Sequence, residues 1–214
     1  MVGRRDLSAF SAFARAGLSK ATTSLAKSMV HVGLTPDAVT FIGTFASVVG
    51  AVTLFPTGHL FIGTLVIWFF VMFDMLDGAM ARVRGGGTPF GAVLDATCDR
   101  IADGAVFGSL AWWAFTIGDS KPLAAAALVC LVTSQVTSYV KARAEAGGFS
   151  AHAGLIERPE RLIIVLAGAG LTGLGLSWSI HIAMWVLAVA SVVTVVQRVL
   201  AVRKADGACD QTPV

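Results

Sequence analysis

From residue 34 to residue 203 the chain alternates long apolar runs with short breaks of Gly, Pro, Asp or His. The runs recur at about the length that a hydrocarbon core of ~30 Å demands of a helix. Thr35-Pro36 sets a capping residue before a proline at the first helical position and opens a run over 36–55. Pro56, Gly58 and His59 make a turn, and the next run covers 60–84. Gly85, Gly86 and Gly87 break it, after which Thr88-Pro89 repeats the cap-plus-proline start for a run over 89–117. Gly118, Asp119 and Pro122 mark another turn, and a fourth run spans 122–145. A loop with Gly147, Gly148, Gly154 and Pro159 leads to a fifth run, 159–175, and a turn over 176–179 leads to the last, 180–203. A lipid-exposed backbone must satisfy its own hydrogen bonds, so the pattern predicts six transmembrane helices and an all-α membrane protein.

The first 33 residues follow a different pattern. Leu7, Phe10, Ala14, Leu18, Ala21, Leu25 and Met29 share one helical stripe, with Lys20 and Lys27 opposite and Arg15 on the flank. This predicts an amphipathic helix lying in the interface of an anionic membrane, or packed on the protein's own surface. The basic residues are spread through the segment instead of preceding an apolar core, so it does not read as a cleaved secretory signal.

Composition agrees with the pattern. Of 214 residues, 56% are hydrophobic and 14% charged, and the mean hydropathy is +0.77, which places the chain outside the range of soluble domains. No separate soluble domain fits, so 1–214 is one domain: a juxtamembrane helix (1–33), a six-helix bundle (34–203) and a polar tail (204–214). Cys98, Cys130 and Cys209 are an odd number without a C-x-x-C pair and suggest neither a disulfide framework nor a zinc site. Of the 16 Lys and Arg residues only Lys121 falls in a far-side turn. The positive-inside rule therefore puts both termini, the 82–100 region and the 141–161 loop in the cytoplasm of a cell that carries the protein in its cytoplasmic membrane. Nothing in the pattern suggests a nucleic-acid partner.

Charge also singles out one stretch, residues 74–103, where Asp74, Asp77, Asp95, Asp99 and Asp103 interrupt apolar runs. On a helical wheel Asp74, Asp77, Gly78, Ala81 and Arg82 share one face, joining carboxylates to a groove of small residues and a guanidinium. Gly91, Asp95 and Asp99 stack in the same way on the next helix, and the short turn between them lets the two faces meet as an antiparallel hairpin. So many like charges repel one another and are poorly solvated there, which a divalent cation relieves. Carboxylate oxygens without His or Cys suit Mg²⁺ or Mn²⁺. Two such ions about 3.5–4 Å apart would clamp a diphosphate, leaving one aspartate to deprotonate a hydroxyl nucleophile.

Asp74-x-x-Asp77-Gly78-x-x-Ala81-Arg82, eight further residues, then Gly91-x-x-x-Asp95-x-x-x-Asp99 resembles the signature of the CDP-alcohol phosphotransferase family. The six-span layout and amphipathic N-terminal helix resemble that family as well. The resemblance implies Asp74, Asp77, Asp95 and Asp99 as metal ligands for Mg²⁺ or Mn²⁺, two ions per site, with Asp99 also the base. It implies Gly78, Ala81, Arg82 and Gly91 at the nucleotide, and a homodimer. Thr35-Pro36-Asp37 resembles the family's start of span one, with Asp37 where Asn is frequent. That makes Asp37 either a nucleotide contact or a first-turn residue that offsets the helix dipole. Asp103 lies outside the signature and reads as a supporting or structural polar residue. Gly168, Gly170, Gly173 and Gly175 read as helix-packing surface, and the tryptophans as an interfacial belt.

The family transfers a phosphatidyl group from CDP-diacylglycerol, or a phospho-alcohol from a CDP-alcohol to a lipid, so the acceptor must come from residues beyond the signature. Lys141, Arg161 and Arg198 sit slightly deeper in their helices than Arg143, Arg203 and Lys204 and can converge into a pocket suited to a phosphate ester. Asp95–Gly104, DATCDRIADG, resembles the actinobacterial phosphatidylinositol phosphate synthases of the family. The expected reaction is attack of inositol 1-phosphate on CDP-diacylglycerol, giving phosphatidylinositol phosphate and CMP, with the acyl chains remaining in membrane lipid. Glycerol 3-phosphate, serine or a neutral alcohol as acceptor is the nearer alternative. A divalent-cation transporter is the distant one, disfavoured because the acidic positions cluster towards one side and spans one, five and six carry none that continues an ion path beyond the cytoplasmic half.

Overall fold

The computed structural model describes residues 22–150, 153–205 and 207. Residues 22–31 are helical (α1). Six helices follow: α2 (Pro36–Leu54), α3 (Leu60–Val83), α4 (Pro89–Thr116), α5 (Lys121–Ala146), α6 (Arg158–Gly173) and α7 (Trp178–Arg203). Among the described residues there is no strand. Each of α2–α7 begins and ends within two residues of its sequence-based bounds, because the caps act locally. Thr35 Oγ1 accepts from the Ala38 amide at 3.2 Å and Thr88 Oγ1 from the Gly91 amide at 2.9 Å, each satisfying an amide that the first turn leaves without a partner. At the other end of α3, Gly85 (φ +97°) takes the left-handed conformation that glycine makes cheaply, and the Gly86 amide donates back to the Ala81 carbonyl at 2.9 Å.

Four helices, α2, α3, α5 and α7, are long and apolar enough to cross a membrane. Their outward residues agree: Phe41, Phe45, Phe69, Val132 and Val189 are each more than half exposed, as suits a lipid-facing surface. The chain is a membrane protein. α4 carries Asp95, Asp99, Arg100 and Asp103 along its length, and α6 has 16 residues, about 24 Å at the α-helical rise.

Two compact units divide the described residues. One holds the residues up to Ser47 with Phe69–Asp99, the other Val48–Trp68 with the residues from Arg100 onward. The first unit has a small core of Ala26, Val39, Ala79 and Met80, against which Met29, Val30, Leu34 and Phe73 pack. Of the expected N-terminal stripe, Met29 therefore faces protein while Leu25 is about half exposed, and the positions before residue 22 lie outside the described residues.

In the second unit α7 packs along both α5 and α6. Glycines allow the closest approaches. A Cβ at Gly168 would stand 2.6 Å from that of Ala183, and one at Gly173 would stand 2.4 Å from the Phe61 backbone nitrogen. Gly170 packs on Thr64, but Gly175 has φ +103° with no atom near its missing Cβ, and so serves the turn. Trp112, Trp178 and Trp185 are exposed as a belt requires, whereas Trp113 is buried and packs inward.

Candidate active site

In the first unit, the N-termini of α2 and α4 and the C-terminal turns of α3 enclose a cavity of about 470 Å³. Thr35, Pro36, Asp37 and Thr40 line it from α2, Asp77, Gly78, Ala81 and Arg84 from α3 and its end, and Gly86, Gly87, Thr88, Gly91, Ala92 and Asp95 from the turn and α4. Small residues of both helices, Gly78 and Ala81 on α3 and Gly91 and Ala92 on α4, line this one space. Two helix N-termini opening on one cavity present backbone amides and the positive ends of helix dipoles, which favour an anionic group such as a phosphate.

Its small residues are small for geometric reasons. A Cβ on Gly91 would stand 3.1 Å from Thr88 Oγ1 and 3.2 Å from Asp37 Oδ1, crowding both the α4 cap and Asp37. At Gly78 the nearest atom to an added Cβ would be Arg82 Nη1 at 3.7 Å, ordinary contact, so a larger side chain there would fill the cavity instead of striking the wall.

The acids are held differently from one another. Asp77 is buried, and its Oδ2 accepts from the Thr40 hydroxyl, itself buried. Thr40 Oγ1 also lies 3.1 Å from the Pro36 carbonyl, but it has one proton and the ionised carboxylate is the stronger acceptor. Asp95 is exposed and lines the cavity. Asp99 is half-buried one turn on and is not among the lining residues. Asp74 lies on α3, and its side chain is outside the described residues. Among the described residues no three Asp, Glu, His or Cys side chains form a metal-holding group. The acidic side chains at the cavity, Asp37, Asp77 and Asp95, nonetheless offer carboxylate oxygens with no His or Cys beside them, chemistry that fits a hard divalent cation.

Arg82 stands beside Gly78 but does not line the cavity, where Arg84 does. α3 ends at Val83, so the chain has left the helical wheel by Arg84, and the wheel could not find it. The Arg84 guanidinium donates through Nη2 to the Leu34 carbonyl at 2.9 Å, tying the end of α3 to the turn before α2. Thr40 was also missed. Its signal was a hydroxyl three residues, about one helical turn, from Asp37.

Lys141, Arg161 and Arg198 all belong to the second unit. Arg161 is buried, and its Nη2 lies 2.9 Å from Asp103 Oδ2. Arg198 is buried too, donating through Nη1 to the Thr137 carbonyl at 3.0 Å and through Nε to the Ala153 carbonyl at 2.9 Å. Thr137 is one turn before Lys141, and Glu157, which heads α6, lies 3.8 Å from Arg198 Nη2. Arg198 is thereby fastened near Lys141 on one side and near the start of the Arg161 helix on the other. Lys141 itself is half-buried, and its Nζ lies 3.9 Å from Glu145 Oε1, a weak pairing.

A family model for CDP-alcohol phosphatidyltransferases matches residues 33–196. The chain is 64% identical over 200 residues to the phosphatidylinositol phosphate synthase of Mycobacteroides abscessus, covering 93% of this chain and 91% of that one. It is 60% identical over 204 residues to the Mycobacterium tuberculosis phosphatidylinositol phosphate synthase, covering 94% of each. The crystal structure of a Mycobacterium tuberculosis phosphatidylinositol phosphate synthase with CDP-DAG bound matches with a TM-score of 0.86 and 61% identity, over 90% of this chain and 98% of that one. A structure of that enzyme in complex with manganese and citrate matches with a TM-score of 0.86 and 59% identity, over 90% and 93%.

Proposed function

Because the chain belongs to the CDP-alcohol phosphatidyltransferase family, we infer that it transfers the phosphatidyl group of CDP-diacylglycerol to inositol 1-phosphate, forming phosphatidylinositol phosphate and CMP. The observation that carries the acceptor is the likeness, along almost the whole chain, to phosphatidylinositol phosphate synthases. It is a metal-dependent enzyme of phospholipid synthesis, using Mg²⁺ or Mn²⁺.

A hydroxyl of inositol 1-phosphate attacks the phosphorus that bears the diacylglycerol, and the bond from that phosphorus to the CMP oxygen breaks. Asp99 takes the hydroxyl proton as base. Asp74, Asp77, Asp95 and Asp99 would hold the divalent cations, two per site, which when bound would neutralise the diphosphate and the departing CMP. Thr40 keeps the Asp77 carboxylate turned by its hydrogen bond, and Gly78, Ala81, Gly91 and Asp37 shape the space for the nucleotide. Arg82 faces the nucleotide from beside Gly78. The amides at the starts of α2 and α4 receive phosphate oxygens, and Lys141, Arg161 and Arg198 receive the phosphate of the acceptor. Orientation of charged groups before reaction supplies much of the rate.

The arrangement in the membrane follows from the same reading. All six helices α2–α7 span the bilayer of the cytoplasmic membrane, with α4 crossing despite its charges because they face protein and substrate. The amphipathic segment 1–33 lies on the cytoplasmic face, where both termini and the site also are, and two copies form a homodimer. The distribution of Lys and Arg supports this sidedness.

The decisive assay mixes purified protein, CDP-diacylglycerol and Mg²⁺ or Mn²⁺ and measures CMP release with each candidate acceptor. Release dependent on inositol 1-phosphate is expected. Release with glycerol 3-phosphate alone would sink the acceptor assignment, and metal flux in liposomes without any release would sink the transferase.

A further inference from the structure

The charged core of the second unit contains an acid that the reaction does not use. Asp103 is fully buried, and its two oxygens are divided between two arginines. Oδ2 lies 2.9 Å from Arg161 Nη2 and Oδ1 lies 3.3 Å from Arg158 Nε, while Arg100 Nη2 approaches to 4.0 Å. A buried ion pair is weak evidence for a stabilising role, since apolar residues of similar volume do as well or better. Arg161 is also incompletely used: its Nε is buried without a hydrogen-bond partner among the described residues. A buried guanidinium N–H left in that state costs stability unless a ligand oxygen completes it.

We propose that Asp103 is a positioning residue for the acceptor: by drawing Arg161 Nη2 and Arg158 Nε to separate oxygens, it holds the Arg161 guanidinium in the orientation that receives the phosphate of inositol 1-phosphate. The proposal rests on the reading of Arg161 as a ligand of that phosphate. Asp103 touches neither substrate nor metal and acts through the arginine. Its two oxygens matter as much as its charge. In Asp103→Asn one oxygen can still accept from one arginine, but the amide nitrogen presents N–H groups to the other, which can only donate.

The test measures CMP release against inositol 1-phosphate concentration, and separately against CDP-diacylglycerol. Asp103→Asn is expected to raise the KM for inositol 1-phosphate roughly tenfold, about the worth of one charge-assisted hydrogen bond. The KM for CDP-diacylglycerol and kcat at saturating acceptor should stay within about twofold. In an Arg161→Ala background the same change should add little, because both act through one group. A structural role predicts the opposite split: a lower melting temperature with the acceptor KM of the folded fraction unchanged, or penalties that add fully to that of Arg161→Ala. Either overturns the proposal. If Asp103→Asn is not recovered folded, Asp103→Glu carries the test, since its longer carboxylate shifts both arginines. An acceptor KM raised about threefold or more upholds the proposal, and a wild-type value overturns it. A wild-type protein that turns over other acceptors but ignores inositol 1-phosphate sinks the acceptor reading first, an outcome distinct from failure of the Asp103 assignment.

Discussion

The cavity of the first unit and the charged core of the second use the same residue types in opposite proportions. At the cavity, Asp37, Asp77 and Asp95 line a space with one arginine, Arg84, whose Nη2 is occupied by the Leu34 carbonyl. In the core, Asp103 is buried beneath Arg161 and Arg158 with Arg100 close by. An excess of carboxylate beside open space invites cations. Guanidinium groups gathered at one carboxylate, with Arg161 Nε buried and without a hydrogen-bond partner among the described residues, suit an anion. A transferase that holds a diphosphate through metal and a second phosphate directly needs both kinds of surface, which is the division between donor and acceptor proposed above.

That contrast can be broken from either side. The largest effect is expected at the proposed base: Asp99→Asn should lower kcat by about 10²–10⁴-fold, the usual contribution of general-base catalysis, while nucleotide binding is largely retained. Loss of binding equal to loss of rate would place Asp99 in the nucleotide site alone. Next, Thr40→Val removes the hydroxyl from Asp77 at constant shape. It should raise the Mn²⁺ concentration for half-maximal rate, and for half-maximal thermal stabilisation, about 10–100-fold, as loss of a ligand's supporting hydrogen bond does elsewhere. The acceptor KM should not move.

On the other side, Arg161→Ala should raise the KM for inositol 1-phosphate roughly tenfold or more with little change in that for CDP-diacylglycerol. Unchanged acceptor kinetics would return Arg161 to a structural role. The smallest effect is expected from Gly91→Ala, whose Cβ would crowd Thr88 and Asp37 by a few tenths of an ångström. An increase of about threefold in the KM for CDP-diacylglycerol, from a strain of ~1 kcal/mol or less, with the acceptor KM unmoved, would mark Gly91 as belonging to the donor site.

The sequence by itself determined what depends on neighbours within a turn or two. Thr35-Pro36 and Thr88-Pro89 marked two helix starts because a hydroxyl cap and a proline act on the adjacent amides. The spacing of Asp77, Gly78 and Ala81, and of Gly91 and Asp95, placed each set on one helix face because 3.6 residues make a turn. Helix bounds and the shared faces of these residues were therefore legible, and so was the family. Tertiary structure alone decided which groups meet at long separation. Arg84 reaches Leu34 across 50 residues, Arg161 reaches Asp103 across 58, and Arg198 reaches Thr137 across 61. No local periodicity encodes those pairings, because they depend on how helices pack and on where a side chain goes once its helix has ended. Asp103 shows the division within one column of aspartates. Its spacing from Asp95 and Asp99 was plain in the chain, but that it lies under two arginines instead of beside open space was settled by the packing around it.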